Sequence, residues 1–249
     1  MNDYLKNLNK IEFAVTYACT GRCKHCSVGD HFSCNEAIDP TVAADAVREI
    51  SEVYGIKTVM AFGGEPLLCH ETVCAIMNAA SEVGIACRQV ITNGYFLKSR
   101  DKIREVAQRL ANSGVNDLLL SVDAFHQETI PLDTVKIFAV ETVACGIPVR
   151  LQPAWLVSEA DRNPYNEKTR EILAHFSDLG LVAGTGNIVF PEGNARKYLA
   201  EYFLDNEPVN PYVEDPRDLR CLSFSPNGDL LDSNIYRESV MEIIKNYTP

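Results

Sequence analysis

The 249 residues carry 23 Lys and Arg against 34 Asp and Glu, a net charge of −11, with 46% apolar residues and nine cysteines. This is ordinary globular usage, with chain for one large domain or two small ones, and it excludes a disordered or collagen-like polymer. No apolar stretch approaches the length of a membrane span, and the acidic balance disfavours undirected binding to nucleic acid.

In chain order, the opening Met1–Lys10 is polar and lacks the apolar stretch of a secretion signal, which predicts a cytoplasmic chain. Apolar, β-rich runs then alternate with helical patterns. Strands are predicted at Ile11–Tyr17, Thr58–Phe62, Cys87–Thr92, Leu118–Val122, Val149–Leu156 and Leu181–Phe190. Helices are predicted between them at Thr41–Tyr54, Glu71–Val83, Asp101–Asn112, Leu132–Cys145 and Glu167–Leu179. Asp39-Pro40 marks the start of the first helix and Gly55 its end. The rhythm is that of βα units, hence a mostly parallel sheet covered by helices, either a partial barrel or an open doubly wound sheet. In both, functional residues collect at the C-terminal ends of the strands.

After about residue 205 the pattern changes. Asn206–Pro216 carries three prolines and reads as a linker. Leu222–Ser225 and Asp229–Asp232 flank Asn227-Gly228 as the arms of a hairpin, and a short helix follows near Arg237–Lys245. The expected division is residues 1–205 and 206–249.

An odd number of cysteines without a secretion signal points to metal or redox chemistry rather than to a disulfide framework. Cys19, Cys23 and Cys26 follow the first strand within one short, glycine-containing loop. Thiolates are soft ligands suited to zinc or to an iron–sulfur cluster, and three of them leave one position open for a bound molecule. Structural zinc, with His25 or His31 as a fourth ligand, is the competing reading. Cys74, Cys87 and Cys145 sit on regular patterns and are expected in the core. Cys34 and Cys69 fall in loops near the same end.

The Cys-x3-Cys-x2-Cys spacing resembles the radical SAM superfamily, with His25 where the family usually has an aromatic residue. Gly63-Gly64-Glu65-Pro66 after the second strand is similar to the family's Gly-Gly-Glu-Pro, and Thr92-Asn93-Gly94 and Ser121-Val122-Asp123 match in register on the third and fourth strands. The resemblance covers roughly residues 11–190. It implies a partial (β/α)6 TIM-like barrel, α/β in class, with a short C-terminal hairpin and helix. It implies a [4Fe–4S] cluster on Cys19, Cys23 and Cys26. S-adenosyl-L-methionine would be bound by Gly63, Gly64, Glu65, Thr92, Asn93, Ser121 and Asp123, with Gln152 also in reach. The implied reaction is reductive cleavage of S-adenosylmethionine to a 5′-deoxyadenosyl radical that takes hydrogen from a substrate.

Cys221 with Pro226-Asn227-Gly228-Asp229 resembles a degenerate form of the C-terminal extension of peptide-modifying (SPASM/twitch-type) relatives, with Ser233 in place of a second cysteine. This favours a peptide over a small metabolite as substrate, and the resemblance implies an electron donor such as flavodoxin or ferredoxin. RNA modification and a non-enzymatic metal-binding role are the alternatives. His126, Arg150 and Trp155 are further candidates for the substrate side.

Overall fold

The computed structural model describes residues 2–29, 36–204 and 208–249. Strand β1 (Lys10–Ala14) leads through the cysteine loop to helix α1 (Pro40–Val53). The alternation continues with β2 (Thr58–Phe62), α2 (His70–Glu82), β3 (Cys87–Thr92), α3 (Arg100–Asn112) and β4 (Asp117–Ser121). Helices α4 (Ala124–Gln127) and α5 (Leu132–Ala144) precede β5 (Val149–Gln152), β6 (Ala154–Trp155) and α6 (Pro164–Ala174). Short pieces follow: β7 (Val182–Ala183), β8 (Asn187–Ile188) and α7 (Gly193–Tyr198). The chain then forms β9 (Cys221–Phe224), β10 (Asp229–Leu230), β11 (Ser233–Asn234) and α8 (Val240–Asn246). Asp39 caps α1 as its sequence suggests, its carboxylate accepting from the Thr41 and Val42 amides ahead of Pro40.

Seven strands form one parallel sheet in the order β7-β5-β4-β3-β2-β1-β9. Consecutive βα units lie side by side, as in the open side of a barrel that does not close. The pleat sorts side chains by alternation. Ile11, Phe13, Val59, Ala61, Val90, Leu118, Leu120, Leu222 and Phe224 enter the helix-covered core. Glu12, Met60, Ile91, Ser121, Gln152 and Ser223 face a cavity on the other side. Among the described residues no helix is long and apolar enough to cross a membrane.

Four expectations are corrected. The first arm of the expected hairpin, Cys221–Phe224, lies in the main sheet, parallel to β1 with Lys10 opposite Cys221 and Phe13 opposite Phe224. The two phenylalanine rings stack at 4.6 Å, so burial of Leu222 and Phe224 against β1 outweighs local pairing across Asn227-Gly228. The hairpin forms one step later, between β10 and β11. The single strand expected over Leu181–Phe190 is two fragments in different sheets, separated by Gly184-Thr185-Gly186, and Pro153 likewise divides β5 from β6. Arg150 is not free for a ligand: its Nε donates to Asp117 at 2.9 Å, and Gln89 shares that carboxylate at 2.6 Å.

The eight described cysteines are free. Cys69 and Cys74 pack against the core from half-buried positions, and Cys87 and Cys145 are also only half-buried rather than in its interior. Cys34 and His31 lie outside the described residues, as does the expected boundary at 205–206. Cys221 is half-buried beside Glu12, and burial together with that carboxylate pushes its thiol up, which does not suit a reactive thiolate.

Candidate active site

At the C-terminal end of the sheet the loop after β1 carries Cys19, Cys23 and Cys26. It is held from four directions. From the turn after α4, the Arg22 amide donates to Thr129 Oγ1 at 3.1 Å and Lys24 Nζ reaches Glu128 at 2.9 Å. From α7, the Asn194 amide donates to the Cys26 carbonyl at 2.8 Å and its side chain to the Cys23 carbonyl at 3.3 Å. From below, Cys23 and Cys26 rest on a second apolar cluster that includes Phe125, Leu156, Val189 and Leu199.

The fourth direction is the Gly63-Gly64-Glu65 loop. The Gly64 amide donates to the Thr16 carbonyl at 2.7 Å and the Glu65 amide to the Ala18 carbonyl at 2.8 Å. A Cβ on Gly63, whose φ is +136°, would stand 2.4 Å from the Thr16 oxygen, and one on Gly64 would stand 2.3 Å from the Ala18 oxygen. The two glycines are therefore demanded by the cysteine loop itself, whose backbone they touch. Glu65 is completely buried. Its Oε1 accepts from the Leu67 amide at 2.9 Å and from Thr92 Oγ1 at 2.7 Å, and its Oε2 accepts from the Asn93 amide at 2.8 Å. Burial pushes this carboxyl up to about 7 against the pull of those three donors.

Asn93 completes the lock. Its Oδ1 accepts from the Tyr95 amide at 2.8 Å, and its Nδ2 donates to Thr20 Oγ1 at 3.2 Å and to Cys19 Sγ at 3.6 Å. Glu65, Thr92 and Asn93 thus tie β2 and β3 to the first cysteine.

Asp123, also buried, accepts through Oδ1 from the Phe125 and His126 amides at 3.0 and 2.9 Å, capping α4. Its Oδ2 meets His126 Nδ1 at 2.8 Å and the Ala154 amide at 3.1 Å. Burial opposes both charges of this pair. Their mutual attraction and hydrogen bond prevail, holding Asp123 near 2 and His126 well above its ordinary value. The carboxylate is thus fully engaged within the chain. Ser121 and Gln152 line the cavity, the latter 3.4 Å from Asn187.

The cavity enclosed by these elements has a volume of about 540 Å³ and reaches from the cysteines to Glu12, Asn187 and Tyr212. It suits a nucleoside-sized ligand with room to spare. Three observations bear on whether the residues suit a cluster and a ligand. The sulfurs of Cys19 and Cys23 flank Gly21, where a Cβ would stand 3.7 and 3.3 Å from them. Burial pushes the Cys19 thiol up to about 12 and raises Cys26 as well, a shift that the positive charge of a bound metal would oppose. His25 Nδ1 is buried without a partner, and burial holds that ring neutral by lowering it to about 4. The donor set fits. One corner, where Cys23, His25 and His126 bring ligand atoms within 4.8 Å of one another, also has the spacing of a single-ion site.

Sequence reasoning missed Asn194 and Asn187, more than 150 residues from the cysteines in the chain; Gly193-Asn194 reads locally as an ordinary turn. It also missed Thr16, whose hydroxyl accepts from the Ala18 amide at 3.1 Å where the loop departs from β1.

A parallel sheet of βα units with a three-cysteine loop locked at its C-terminal end is an arrangement suited to an iron–sulfur enzyme. Residues 13–204 match the model of the Radical SAM superfamily, and the chain belongs to that superfamily. S-adenosylmethionine and a [4Fe–4S] cluster are the cofactors that membership carries. Among characterised sequences, a probable GTP 3′,8-cyclase of Methanocaldococcus jannaschii is 27% identical over 142 residues, 57% of this chain and 45% of that protein. A second, from Saccharolobus solfataricus, is 26% identical over 254 residues, 96% of this chain and 75% of that protein. The chain thus spans less than half of the first relative. Among solved structures, Streptococcus suis SuiB bound to S-adenosylmethionine superposes with a TM-score of 0.63 at 14% identity. That match covers 97% of this chain and 66% of SuiB. Native anSMEcpe with bound AdoMet gives 0.60 at 13% identity over 96% and 80%. At this identity the structural likeness concerns the fold.

Proposed function

We propose that Cys19, Cys23 and Cys26 hold the cluster and that S-adenosylmethionine lies against the loops at 63–65, 92–93 and 121–123. On this reading the protein takes a hydrogen atom from a neutral or cationic peptide or small metabolite seated toward Glu12, Gln152 and Asn187. The pair of cofactors supplies one-electron cleavage of the sulfonium and a carbon radical. The chain's part is to hold the three thiolates, to fix the ligand's polar groups and to keep water from the reacting carbon. Glu65 organises its loop from within rather than by reaching the ligand, since three chain donors occupy it. Ser121 and Gln152 remain as side chains turned to the cavity. An electron donor such as flavodoxin or ferredoxin completes the cycle.

The observation that carries the substrate reading is the charge of the cavity wall. Among the described residues that line it, the charged and titratable side chains are Glu12, Asp123, two histidines, Tyr212 and the cysteines, with no Lys or Arg, and the one cation beside them, Lys10, is paired with Glu12 at 2.7 Å. A nucleoside triphosphate requires a cationic clamp. The resemblance to GTP cyclases therefore supports the shared radical chemistry, and the wall argues for a different substrate.

Anaerobic reconstitution with iron, sulfide and reductant tests the reading. The expected result is about four irons per chain and 5′-deoxyadenosine released from S-adenosylmethionine. Fully loaded protein that releases none refutes the chemistry. Tight binding of GTP, measured by calorimetry on the loaded protein, refutes the substrate class.

A further inference from the structure

Strand β8 (Asn187–Ile188) is an edge. It pairs in parallel with β6 alone, in a sheet of two strands. The ladder uses alternate residues: the Asn187 amide donates to the Pro153 carbonyl and the Val189 amide to the Trp155 carbonyl, each at 2.9 Å. In a strand, the residue between two such donors turns its own N–H and C=O the other way. Ile188 therefore points both groups outward, and among the described residues no hydrogen bond reaches them or the Phe190 amide. The strand is held firmly where it stands. A Cβ on Gly186, whose φ is +72°, would lie 2.3 Å from the Pro153 oxygen, and Trp155 Nε1 donates to the Thr185 carbonyl at 3.0 Å. From Gly184 to Phe190 the chain carries no charge, the usual guard of an exposed edge.

What lies beside this edge gives it a use. Asn187, Ile188, Val189 and Phe190, four consecutive residues, all line the cavity that holds the cysteines. Val28, Ile188 and Tyr212 give the same cavity exposed apolar surface. Free backbone donors and acceptors along a strand are matched by another extended backbone, whose side chains then alternate between two faces. We propose that β8 is the docking strand of a peptide substrate: an extended segment pairs with the outward N–H and C=O of Ile188 and passes a side chain into the cavity. The proposal takes the peptide from the substrate classes named above and rests on that reading. A small metabolite has no repeating backbone with which to use the edge.

The test selects a phage-displayed library of random peptides on the reconstituted protein with S-adenosylmethionine bound. The peptides recovered are measured by calorimetry on loaded wild type, Ile188→Pro and Ile188→Ala. Proline suits an edge position whose N–H faces outward, and all three proteins should hold about four irons. Ile188→Pro should bind about tenfold more weakly than the wild type, the worth of one backbone hydrogen bond, while Ile188→Ala keeps its N–H and stays within about threefold. Equal affinity of the proline and alanine variants overturns the docking strand and leaves the peptide reading standing. A loaded wild type that selects no peptide overturns that reading and the inference with it. Should Ile188→Pro fail to load, amide exchange decides. The fragment spanning Ile188 in the loaded wild type should exchange more slowly with peptide bound, and unchanged exchange overturns the proposal. A wild-type dimer in sedimentation that Ile188→Pro dissociates, with peptide affinity unchanged, assigns the edge to a second copy and overturns it as well.

Discussion

The two walls of the cavity are built differently. On the side of β1, β2 and β3, the polar side chains that matter are buried and committed: Glu65 to three donors, and Asn93 to Tyr95, Thr20 and Cys19. On the side of β5 and β8 the polar groups are loosely tied. Gln152 and Asn187 touch at 3.4 Å, and the Asn210 side chain holds the exposed Glu192 at 3.1 Å and accepts from the nearby Tyr212 amide at 2.9 Å. The first wall is preorganised, as suits a ligand that is the same in every turnover. The second leaves donors and acceptors open to whatever substrate is bound. The difference teaches where specificity can change without disturbing the chemistry.

Four measurements sharpen or break that contrast, beginning with the largest effect. Cys23→Ala should reduce iron from about four per chain to near none and abolish 5′-deoxyadenosine formation; retained iron would show that the loop is not the cluster site. Gly64→Ala forces a methyl against the Ala18 carbonyl and should cost about 4 kcal/mol, seen as a lower urea midpoint with an unchanged slope. A normal midpoint would mean that this wall is softer than its contacts imply.

Glu65→Gln gives a pH signature. Because the folded carboxyl sits near 7 instead of 4.5, its contribution to stability is complete below about pH 4.5 and is lost as pH rises through about 7. The neutral variant escapes this loss, so the wild type's advantage over Glu65→Gln should shrink by ~3 kcal/mol between pH 4.5 and 8. Parallel stability curves for the cluster-free proteins would contradict it. The smallest effect is expected on the other wall. Gln152→Ala and Asn187→Ala should leave iron content unchanged and stability within about 0.5 kcal/mol, while raising the substrate KM by about 2- to 10-fold. Loss of iron in either variant would erase the distinction between the walls.

Much of the molecule is legible in the order of residues. Local signals carry helices α1, α2, α3 and α5, since Asp39-Pro40 and the apolar spacing act within one turn, and the three cysteines declare themselves by spacing. What escapes is what depends on distant partners. β9 looks like half a hairpin until β1 is available to pair with it. Gly63 and Gly64 line the cavity, and what the sequence does not reveal is that they also make room for the carbonyls of residues 16 and 18. Asp123 reads as a group for the cofactor, yet Ala154, on a strand 31 positions away, and His126 claim its Oδ2. Asn194 is silent in sequence because its partners, the carbonyls of Cys23 and Cys26, are backbone atoms.

The place of β9 has a consequence for how the chain comes to be folded. The Phe224 ring that covers Phe13 follows it in the chain by about two hundred residues, a separation of the kind that slows folding. During synthesis, one flank of β1 therefore waits as an unpaired edge, the sort of surface on which nascent chains associate wrongly. Iron delivered at that stage would find the three thiols on a loop whose supporting strand is covered on one side only.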